Sequence, residues 1–294
     1  MPNNRILIDA ENPPWRTLGR WPEMFQELWE SREMIHRLWY RDFVGPFRQS
    51  FLGLFWLILP PLAVAVIFTF LRSAHIVNVP MEQGALPYIL FALVGSMLWQ
   101  MFSAITLQVT ESIVGSASLI SKVYFPREVL AVSALGKALV ATVMQFAALI
   151  LTLAACRYWP PWQTVFLPLA VVPLAALSLG LGLLFAPIHS VVRDTSQILS
   201  VLFRLGMFLA PTVYPTPLLS VVHGGHASLT AQVIYWLHNL NPVSHFMTAV
   251  RDLLQYGNLT DPLSYWLASA FSLLILAVGW RFFDLCEPLM AERI

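Results

Sequence analysis

The feature of this sequence that most restricts its fold is a set of long stretches without any carboxylate. No aspartate or glutamate occurs within residues 43–81, 83–110, 129–193 or 195–251. Of the 294 residues, 57% are hydrophobic and 11% are charged, whereas a soluble domain normally carries about 25% charged residues. An ionised side chain costs about 2.5–3.5 kcal/mol at the centre of a membrane helix. The distribution therefore indicates an integral membrane protein rather than a very apolar soluble helical bundle.

Six segments are predicted to be transmembrane helices, because about 20 apolar residues are needed to cross roughly 30 Å of hydrocarbon. They lie near residues 51–71, 87–109, 129–155, 164–188, 198–215 and 263–283. The sequence contains no internal repeat, low-complexity tract or separate soluble domain. We therefore predict a single all-α integral membrane domain over residues 1–294. Residues 1–22 are polar and lack the apolar run of a secretory signal, so we expect a cytoplasmic tail there.

The distribution of basic residues predicts the orientation of the spans. With the N-terminus inside, twelve lysines and arginines fall in internal segments and three in external segments, and cytoplasmic loops are the ones enriched in such residues. The internal set is Arg5, Arg16, Arg20, Arg32, Arg37, Arg41, Arg48, Lys122, Arg127, Arg193, Arg281 and Arg293, and the external set is Arg72, Arg157 and Arg251. We therefore predict both termini in the cytoplasm, with Cys156 outside and Cys286 inside, too far apart for a disulfide.

Two segments outside the spans are also predicted to contact the membrane. Residues 23–43 carry aromatic and aliphatic side chains at helical spacing, which predicts an amphipathic interface helix in the headgroup plane; packing on a partner protein is the alternative. Residues 216–262 are external yet too apolar for a solvated loop. We predict two short helices there, broken at Asn241-Pro242, because broken helices at membrane depth need shelter from protein or a water-filled path.

The chain lacks the motifs of an enzyme that hydrolyses ATP. It has no GxxxxGKS or GxxxxGKT phosphate loop, since its Gly136-Lys137 pair is followed by Ala138 within a span. Its seven histidines lie at span ends or in loops, and two glycines separate His223 from His226, which favours a flexible loop over a metal site. We therefore expect no catalytic residue, metal or cofactor in this chain, and ATP with Mg²⁺ on a separate subunit.

Polar and aromatic residues inside the spans mark a predicted substrate path. Lys137 and Arg204 have no carboxylate in their own spans, and because unpaired cations rarely face lipid, a path-lining role is favoured for both. A diphosphate could supply the missing negative charge, and capping of free backbone carbonyls is the alternative. Five further candidates are Trp99, Gln100, Phe102, Ser103 and Phe208. Aromatic rings stack well on sugars, but ordinary helix packing explains these five side chains equally well.

Four segments of the sequence carry a family pattern. They are Trp-Tyr-Arg-Asp at 39–42 leading into Phe-Arg-Gln-Ser-Phe-Leu-Gly-Leu-Phe-Trp at 47–56; Leu-Ile-Ser-Lys-Val-Tyr-Phe-Pro-Arg-Glu at 119–128; Phe-Leu-Ala-Pro-Thr-Val-Tyr-Pro at 208–215; and Asn-Pro-Val-Ser-His at 241–245 running to Arg251-Asp252. In order and spacing, across roughly residues 23–284, the chain resembles the permease subunit of type-2 ABC exporters of lipid-linked polysaccharides or teichoic acids. Residues 1–22 and 220–231 depart from the pattern.

The resemblance implies two further structures. The first is a cytoplasmic coupling helix at about residues 111–122 that docks on an ATPase. Its candidate residues are Glu111, Ser112, Gly115, Ser116, Ser118 and Lys122. The second is a pair of short external gate helices between the fifth and sixth spans. Its candidate residues are Tyr214, Pro215, Asn241, Pro242 and Arg251.

The function expected from the resemblance is that of a permease subunit in an ATP-driven exporter. Its substrate would be an O-antigen-like polysaccharide on a polyprenyl diphosphate, crossing the bacterial inner membrane. Six spans enclose no wide path alone, so we expect a homodimer with one path between two identical surfaces, joined by two copies of an ABC ATPase. The alternatives are an exporter of teichoic acid, a drug or a simple lipid, and a membrane-embedded glycosyltransferase.

Overall fold

The computed structural model describes residues 26, 28–47, 51–77, 79, 86–120, 125–215 and 229–293; the predicted tail at 1–22 lies outside them. Within these residues the chain is helical and contains no β-strand. The helices are α1 (Arg32–Phe47), α2 (Phe55–Ser73), α3 (Tyr88–Gly115), α4 (Ala117–Ile120), α5 (Glu128–Ala155), α6 (Leu167–Ala170), α7 (Val172–Val191), α8 (Thr195–Leu209), α9 (Leu229–Leu240), α10 (Pro242–Gln255) and α11 (Pro262–Arg293). A 3-10 helix, Trp162–Phe166, leads into α6.

Five helical segments are long and apolar enough to cross a bilayer. They are Phe55–Ser73, Tyr88–Gly115, Glu128–Ala155, Trp162–Val191 and Pro262–Glu287. They correspond to the first four predicted spans and the sixth, so the prediction of an all-α, multi-span membrane protein is confirmed. The remaining predicted span corresponds to α8, which has 15 residues and is about 22 Å long at 1.5 Å per residue. The count of six spans therefore stays a prediction.

The fifth predicted span, 198–215, differs from α8 at both ends. The helix begins at Thr195 and ends at Leu209. Its end has a local cause, because Ala210 is extended, with φ −94° and ψ 157°, and proline disfavours the helical conformation of the residue before it. Pro211 therefore stops α8, and residues 210–215 continue as turns and irregular chain.

Helix α3 is the centre of the described fold. It packs against α2, α5, α7 and α8, and its residues Leu90, Met97, Ile105 and Ile113 are fully buried. Thr106 Oγ1 donates a hydrogen bond to the carbonyl of Ser178 on α7 at 3.2 Å. Surrounded on several sides by other helices, α3 connects the elements that carry the candidate site.

Helices α7 and α11 cross at two glycines. A Cβ at Gly180 would lie 2.6 Å from the backbone of Leu276, and a Cβ at Gly279 would lie 2.2 Å from the carbonyl oxygen of Gly180. Small residues allow membrane helices to approach closely and pack by van der Waals contact. This contact fixes α11 against α7 in the most extensive helix pair of the described fold.

A helix corresponding to the predicted interface helix at 23–43 is present as α1, which begins and ends later in the chain, and its interface role stays a prediction. Helix α1 continues to Phe47, and a turn at Ser31 separates it from the helical residues 28–30, while residues 23–25 and 27 are outside the described part. It packs on α5, where a Cβ on Gly136 would lie 2.7 Å from Cδ1 of Trp39. Tyr40 is exposed, which is compatible with a headgroup contact or with a partner protein.

The predicted break at Asn241-Pro242 is confirmed as the boundary between α9 and α10. Asn241 is the N-cap of α10, and its Oδ1 accepts a hydrogen bond from the backbone nitrogen of Val243 at 3.0 Å. Pro242 occupies the first helical turn, where the missing N–H is not needed. The preceding residues 216–228, including most of the divergent segment 220–231, lie outside the described residues.

The orientation predicts different labelling of the two cysteines. Cys156 is exposed just after α5, and Cys286 is partly buried near the end of α11, a helix of 32 residues, or about 48 Å. An impermeant maleimide added to intact spheroplasts should label Cys156 and spare Cys286 until detergent is added. Cys156→Ser and Cys286→Ser variants identify the labelled site. Labelling of Cys286 in intact spheroplasts would contradict the predicted orientation.

Candidate functional site

The two predicted path cations lie at matching positions in their helices. Lys137 is nine residues after Glu128, the first residue of α5, and Arg204 is nine residues after Thr195, the first residue of α8. At 1.5 Å per residue, each is about 14 Å into its helix. The predicted fifth span begins at residue 198 instead of Thr195, so the structure places Arg204 deeper in its helix than that prediction did.

Arg204 lies on an exposed and mostly apolar face of α8. Its neighbours on this surface include Ile198, Val201, Leu205 and Phe208, which are 51–60% exposed. Arg204 is exposed as well, and among the described residues it has no salt bridge or hydrogen-bond partner. Helix α8 therefore presents to its surroundings a face that is apolar except for one strong cation and a few polar groups.

Lys137 is partly buried on α5. Within the described part of the chain, its ammonium group likewise has no ion-pair or hydrogen-bond partner. Helices α5 and α8 both pack on α3, and in the described part of the chain they are not one of the extensive helix pairs.

Trp99 and Phe102 do not line an open path in this structure. Their side chains are only 7% and 6% exposed. Trp99 Nε1 donates a hydrogen bond to the carbonyl of Phe203 at 2.8 Å, and the rings of Phe102 and Phe203 meet edge to face at 5.2 Å. These contacts, with the indole of Trp99 against Gly206, hold α8 on α3. The structure thus favours packing for Trp99 and Phe102, whereas Phe208 is 52% exposed and stays a path candidate.

Gln100 and Ser103 are held by hydrogen bonds between and within helices. Gln145 Nε2 on α5 donates to Gln100 Oε1 at 3.0 Å and to the Leu57 carbonyl on α2 at 3.3 Å. Ser103 Oγ donates to the Gln100 carbonyl at 3.2 Å. Polar groups in lipid commonly bind helix to helix as Gln100 does, whereas the hydrogen bond of Ser103 stays within α3.

Arg251 is the central residue of the predicted external gate. One guanidinium nitrogen, Nη2, donates to the carbonyls of Phe91 at 3.0 Å and Thr212 at 2.9 Å, and Cζ lies 3.5 Å from the centroid of the Phe91 ring. Gly95 leaves room, because a Cβ there would lie 2.4 Å from Nη2. Arg251 thereby joins α10, α3 and the chain that follows α8.

Burial changes the acid–base properties of this region without removing the charge of Arg251. Burial lowers the pKa of Arg251 to about 9, which is still above neutral pH, so the guanidinium remains protonated. Burial also raises the pKa of the adjacent Asp252, opposed mainly by hydrogen bonds from Thr260. The charged guanidinium strengthens its two bonds to carbonyl oxygens, since hydrogen bonds with an ionised partner are the stronger ones.

The remaining gate candidates are close to this cluster. The Tyr214 ring stacks on His238 of α9 at 5.6 Å, and its hydroxyl donates to the Phe208 carbonyl at the end of α8. Burial lowers the pKa of His238 to about 4, so the ring is neutral at pH 7. Pro215 follows Tyr214 and is partly buried. The structure thus brings the gate candidates of residues 208–215 and 241–251 together around α3.

The predicted coupling segment is not a separate helix. Residues 111–115 extend the helix of the second span, so α3 continues without interruption to Gly115. The four-residue α4 follows after Ser116. Glu111, Gly115 and Ser118 are exposed, Ser112 and Ser116 are partly buried, and Lys122 is outside the described residues. A Cβ on Gly115 meets no atom within 4 Å, so this end of α3 has an open surface. The coupling role stays a prediction.

An ionic cluster at the start of α5 was not foreseen from the sequence. Carboxylate oxygens of Glu128, Asp284 and Glu287 lie within 4.8 Å of one another. Arg281 Nη1 pairs with Asp284 at 2.5 Å, and Arg127 Nη1 donates to the carbonyl of Glu287. Arg281 thus supplies a positive charge beside these carboxylates. The bond from Arg127 ties the start of α5 to the end of α11.

Comparison with known proteins identifies a matching family and three similar proteins. The family described as "ABC-2 type transporter" matches residues 33–254. A Myxococcus xanthus protein named "O-antigen export system permease protein RfbA" is 27% identical over 275 residues, covering 92% of this chain and 99% of that protein. Two Klebsiella pneumoniae proteins of the same name are each 22% identical, covering 74% and 86% of this chain and 79% and 91% of their own lengths.

Proposed function

This chain belongs to the ABC-2 type transporter family, and from that membership we propose that it is the channel-forming subunit of an ATP-driven polysaccharide exporter. The cargo is an O-antigen-like glycan linked to a polyprenyl diphosphate. The names of the three relatives as O-antigen export permeases support this cargo. The family itself consists of transmembrane transport subunits, so the chain is a permease and not itself an enzyme.

The proposed assembly contains two copies of this chain and two copies of an ABC ATPase in the bacterial inner membrane. ATP and Mg²⁺ bind the ATPase, and this chain holds no cofactor. Both termini face the cytoplasm, where the open surface around Gly115 is available to the ATPase. Two identical copies related by a two-fold axis place matching surfaces on opposite sides of one path.

The observation that carries the proposal is Arg204 on the exposed face of α8. A cation at this depth is costly in contact with lipid and normally faces a bundle interior or an aqueous cavity. The exposed residues around it, such as Val201 and Leu205, would leave it facing lipid in a single copy. When a second copy covers α8, a path forms between the two copies. Arg204 then faces this path instead of lipid, and the cost of its charge is relieved.

The diphosphate of the carrier lipid suits this cation. Arginine presents a planar fork of donors that matches phosphate oxygens, and hydrogen bonds between charged partners are short and strong. Lys137, at the same helical depth on α5, adds a second positive charge. The exposed ring of Phe208, one turn beyond Arg204 on α8, offers an apolar face on which a sugar ring can stack.

Substitution of the two cations tests the proposal. In proteoliposomes with the partner ATPase, Arg204→Gln and Lys137→Gln should each raise the half-stimulating concentration of polyprenyl-diphosphate glycan about tenfold or more. The reason is that a hydrogen bond to a charged group contributes roughly 1.5–3 kcal/mol. Arg204→Lys should give an intermediate value, because it keeps the charge and loses the fork.

The control is Arg193→Gln, which removes another exposed arginine, in the connection just before α8. It should leave both basal and stimulated ATPase activity unchanged. Full stimulation in both Arg204→Gln and Lys137→Gln, with normal assembly, would contradict diphosphate recognition by these residues.

A further inference from the structure

A polar cavity lies between the two external helices and the beginning of α11. Its volume is about 170 Å³, well above the roughly 10–15 Å³ that one water molecule requires. The lining includes Asn239 of α9, Ser244 and His245 of α10, and the carboxylates Asp252 and Asp261. None of these five residues is one of the path or coupling candidates named above. Asp252 is the sequence neighbour of the gate residue Arg251.

Hydrogen bonds fix the walls of this cavity. Asp261 is placed as the N-cap of α11 and accepts from the backbone nitrogen of Ser264 at 3.2 Å and from its hydroxyl at 2.5 Å. Oδ2 of Asp252 accepts from the backbone nitrogen of Thr260 at 2.9 Å. His245 Nε2 bonds the Asn239 carbonyl at 2.9 Å, which leaves Nδ1 as an acceptor in the neutral ring. The polar groups are therefore positioned before any ligand arrives.

One hydroxyl in this wall lacks a partner. Ser244 is only 3% exposed, and its Oγ forms no hydrogen bond with any described residue. Buried polar groups are nearly always paired, and leaving one unpaired costs free energy. An unsatisfied serine hydroxyl that lines a polar cavity points to a ligand with hydroxyl or carbonyl groups of its own.

The chemistry of the lining selects a neutral polyhydroxyl ligand. Two carboxylates repel an anion, which excludes the diphosphate of the carrier. Three of the four oxygens on these two carboxylates already accept bonds from Ser264 or Thr260. Among the described residues, the lining of this cavity does not form the close cluster of three ligand atoms that a cation would require. Carboxylate, imidazole and serine groups together can accept hydrogen bonds from hydroxyl groups and donate hydrogen bonds to them. A sugar ring presents several such hydroxyl groups.

We propose that this cavity binds one sugar unit of the glycan on the external side of the gate. The proposal rests on the proposed function, since the ligand is part of the exported polysaccharide. Asp252 in the wall is the sequence neighbour of Arg251, which holds the gate, and the wall residue His238 stacks on Tyr214. A sugar in the cavity thus contacts both external helices and stabilises their arrangement as the glycan emerges.

The purified full chain tests the site directly through saturation-transfer NMR with methyl glycosides of glucose, mannose, galactose and N-acetylglucosamine. At least one should bind, and Ser244→Ala should weaken its binding about two- to tenfold, as expected for one neutral hydrogen bond. Because the hydroxyl has no described partner, the same variant should be as thermally stable as the wild type or more so. Ser269→Ala removes a buried serine hydroxyl that is bonded to the Tyr265 carbonyl, and should leave binding unchanged.

A second variant blocks the cavity from its rim. Thr248 lines the cavity and is exposed, so Thr248→Trp fills the space without disturbing the core and should abolish glycoside binding. Failure of all four glycosides to bind the wild-type chain, or unchanged binding in both Ser244→Ala and Thr248→Trp, overturns the site. Binding of Ca²⁺ instead of glycosides would identify a cation site and also overturn it. Glycan export in cells is a separate measurement, so loss of the proposed function would be recognised independently.

Discussion

Arg251→Met is expected to abolish export and to lower the thermal stability of the purified chain. The substitution keeps an unbranched apolar stem but removes the nitrogen that donates to the carbonyls of Phe91 and Thr212. Hydrogen bonds from a charged donor contribute roughly 1.5–3 kcal/mol each, and the two carbonyls would be left buried without this donor. Helix α10 and residues 210–214 would then lose the charged link to α3 and keep only their remaining contacts with it, such as the bond from the Tyr88 hydroxyl to the Val213 carbonyl.

The measurement combines glycan export in cells with thermal aggregation of a fluorescent fusion of the chain. Arg251→Lys should recover part of the stability, because an ammonium group reaches one carbonyl but cannot reproduce the flat contact with the Phe91 ring. Arg157→Gln is the control, since Arg157 is exposed on the same predicted external side, and it should behave as the wild type. Normal export and stability in Arg251→Met would show that this arginine does not hold the gate.

Gly279→Ala is expected to prevent accumulation of folded protein in the membrane, although it adds one methyl group. The new Cβ would lie 2.2 Å from the carbonyl oxygen of Gly180, a backbone atom that cannot move without separating α7 from α11. Overpacking typically costs about 1–3 kcal/mol and occasionally more, and a clash with backbone belongs at the upper end of that range.

The matched control is Gly115→Ala, at a position where a Cβ meets no atom within 4 Å. It should accumulate normally and elute as one peak in size-exclusion chromatography, whereas Gly279→Ala should be degraded or aggregated. Equal amounts of monodisperse protein from the two variants would contradict the close crossing of α7 and α11.

The sequence predicted those parts of the fold that depend on local pattern. The ends of α5 agree with the predicted span within one residue, because the apolar run and Pro126 together define its length. The break before α10 was also predicted, since Asn241-Pro242 is a strong local signal for a helix N-terminus. The early end of α8 could also have been predicted from Pro211, because proline disfavours the helical conformation of the residue before it. The prediction instead followed the apolar run, which continues beyond Pro211.

Features that depend on contacts between distant segments were not predictable. The hydrogen bonds of Arg251 join residues separated by 160 and 39 positions, and no local pattern indicates such pairs. The orphan hydroxyl of Ser244 is likewise visible only once its surroundings are known. For Trp99, the sequence left substrate contact and helix packing equally open, and its contacts with Phe203 and Gly206 became visible only in the structure.

The most direct test of the central claim is to deplete this protein in its native cell and analyse the polyprenyl-diphosphate lipids. We expect a polyprenyl-diphosphate-linked glycan to accumulate, and intact spheroplasts should protect it from periodate and lectins added outside. Restoring the wild-type chain should return the glycan to the outer side, and Arg204→Gln should not. The account would be contradicted if depleted cells accumulated no such lipid while their surface polysaccharide remained at its normal level.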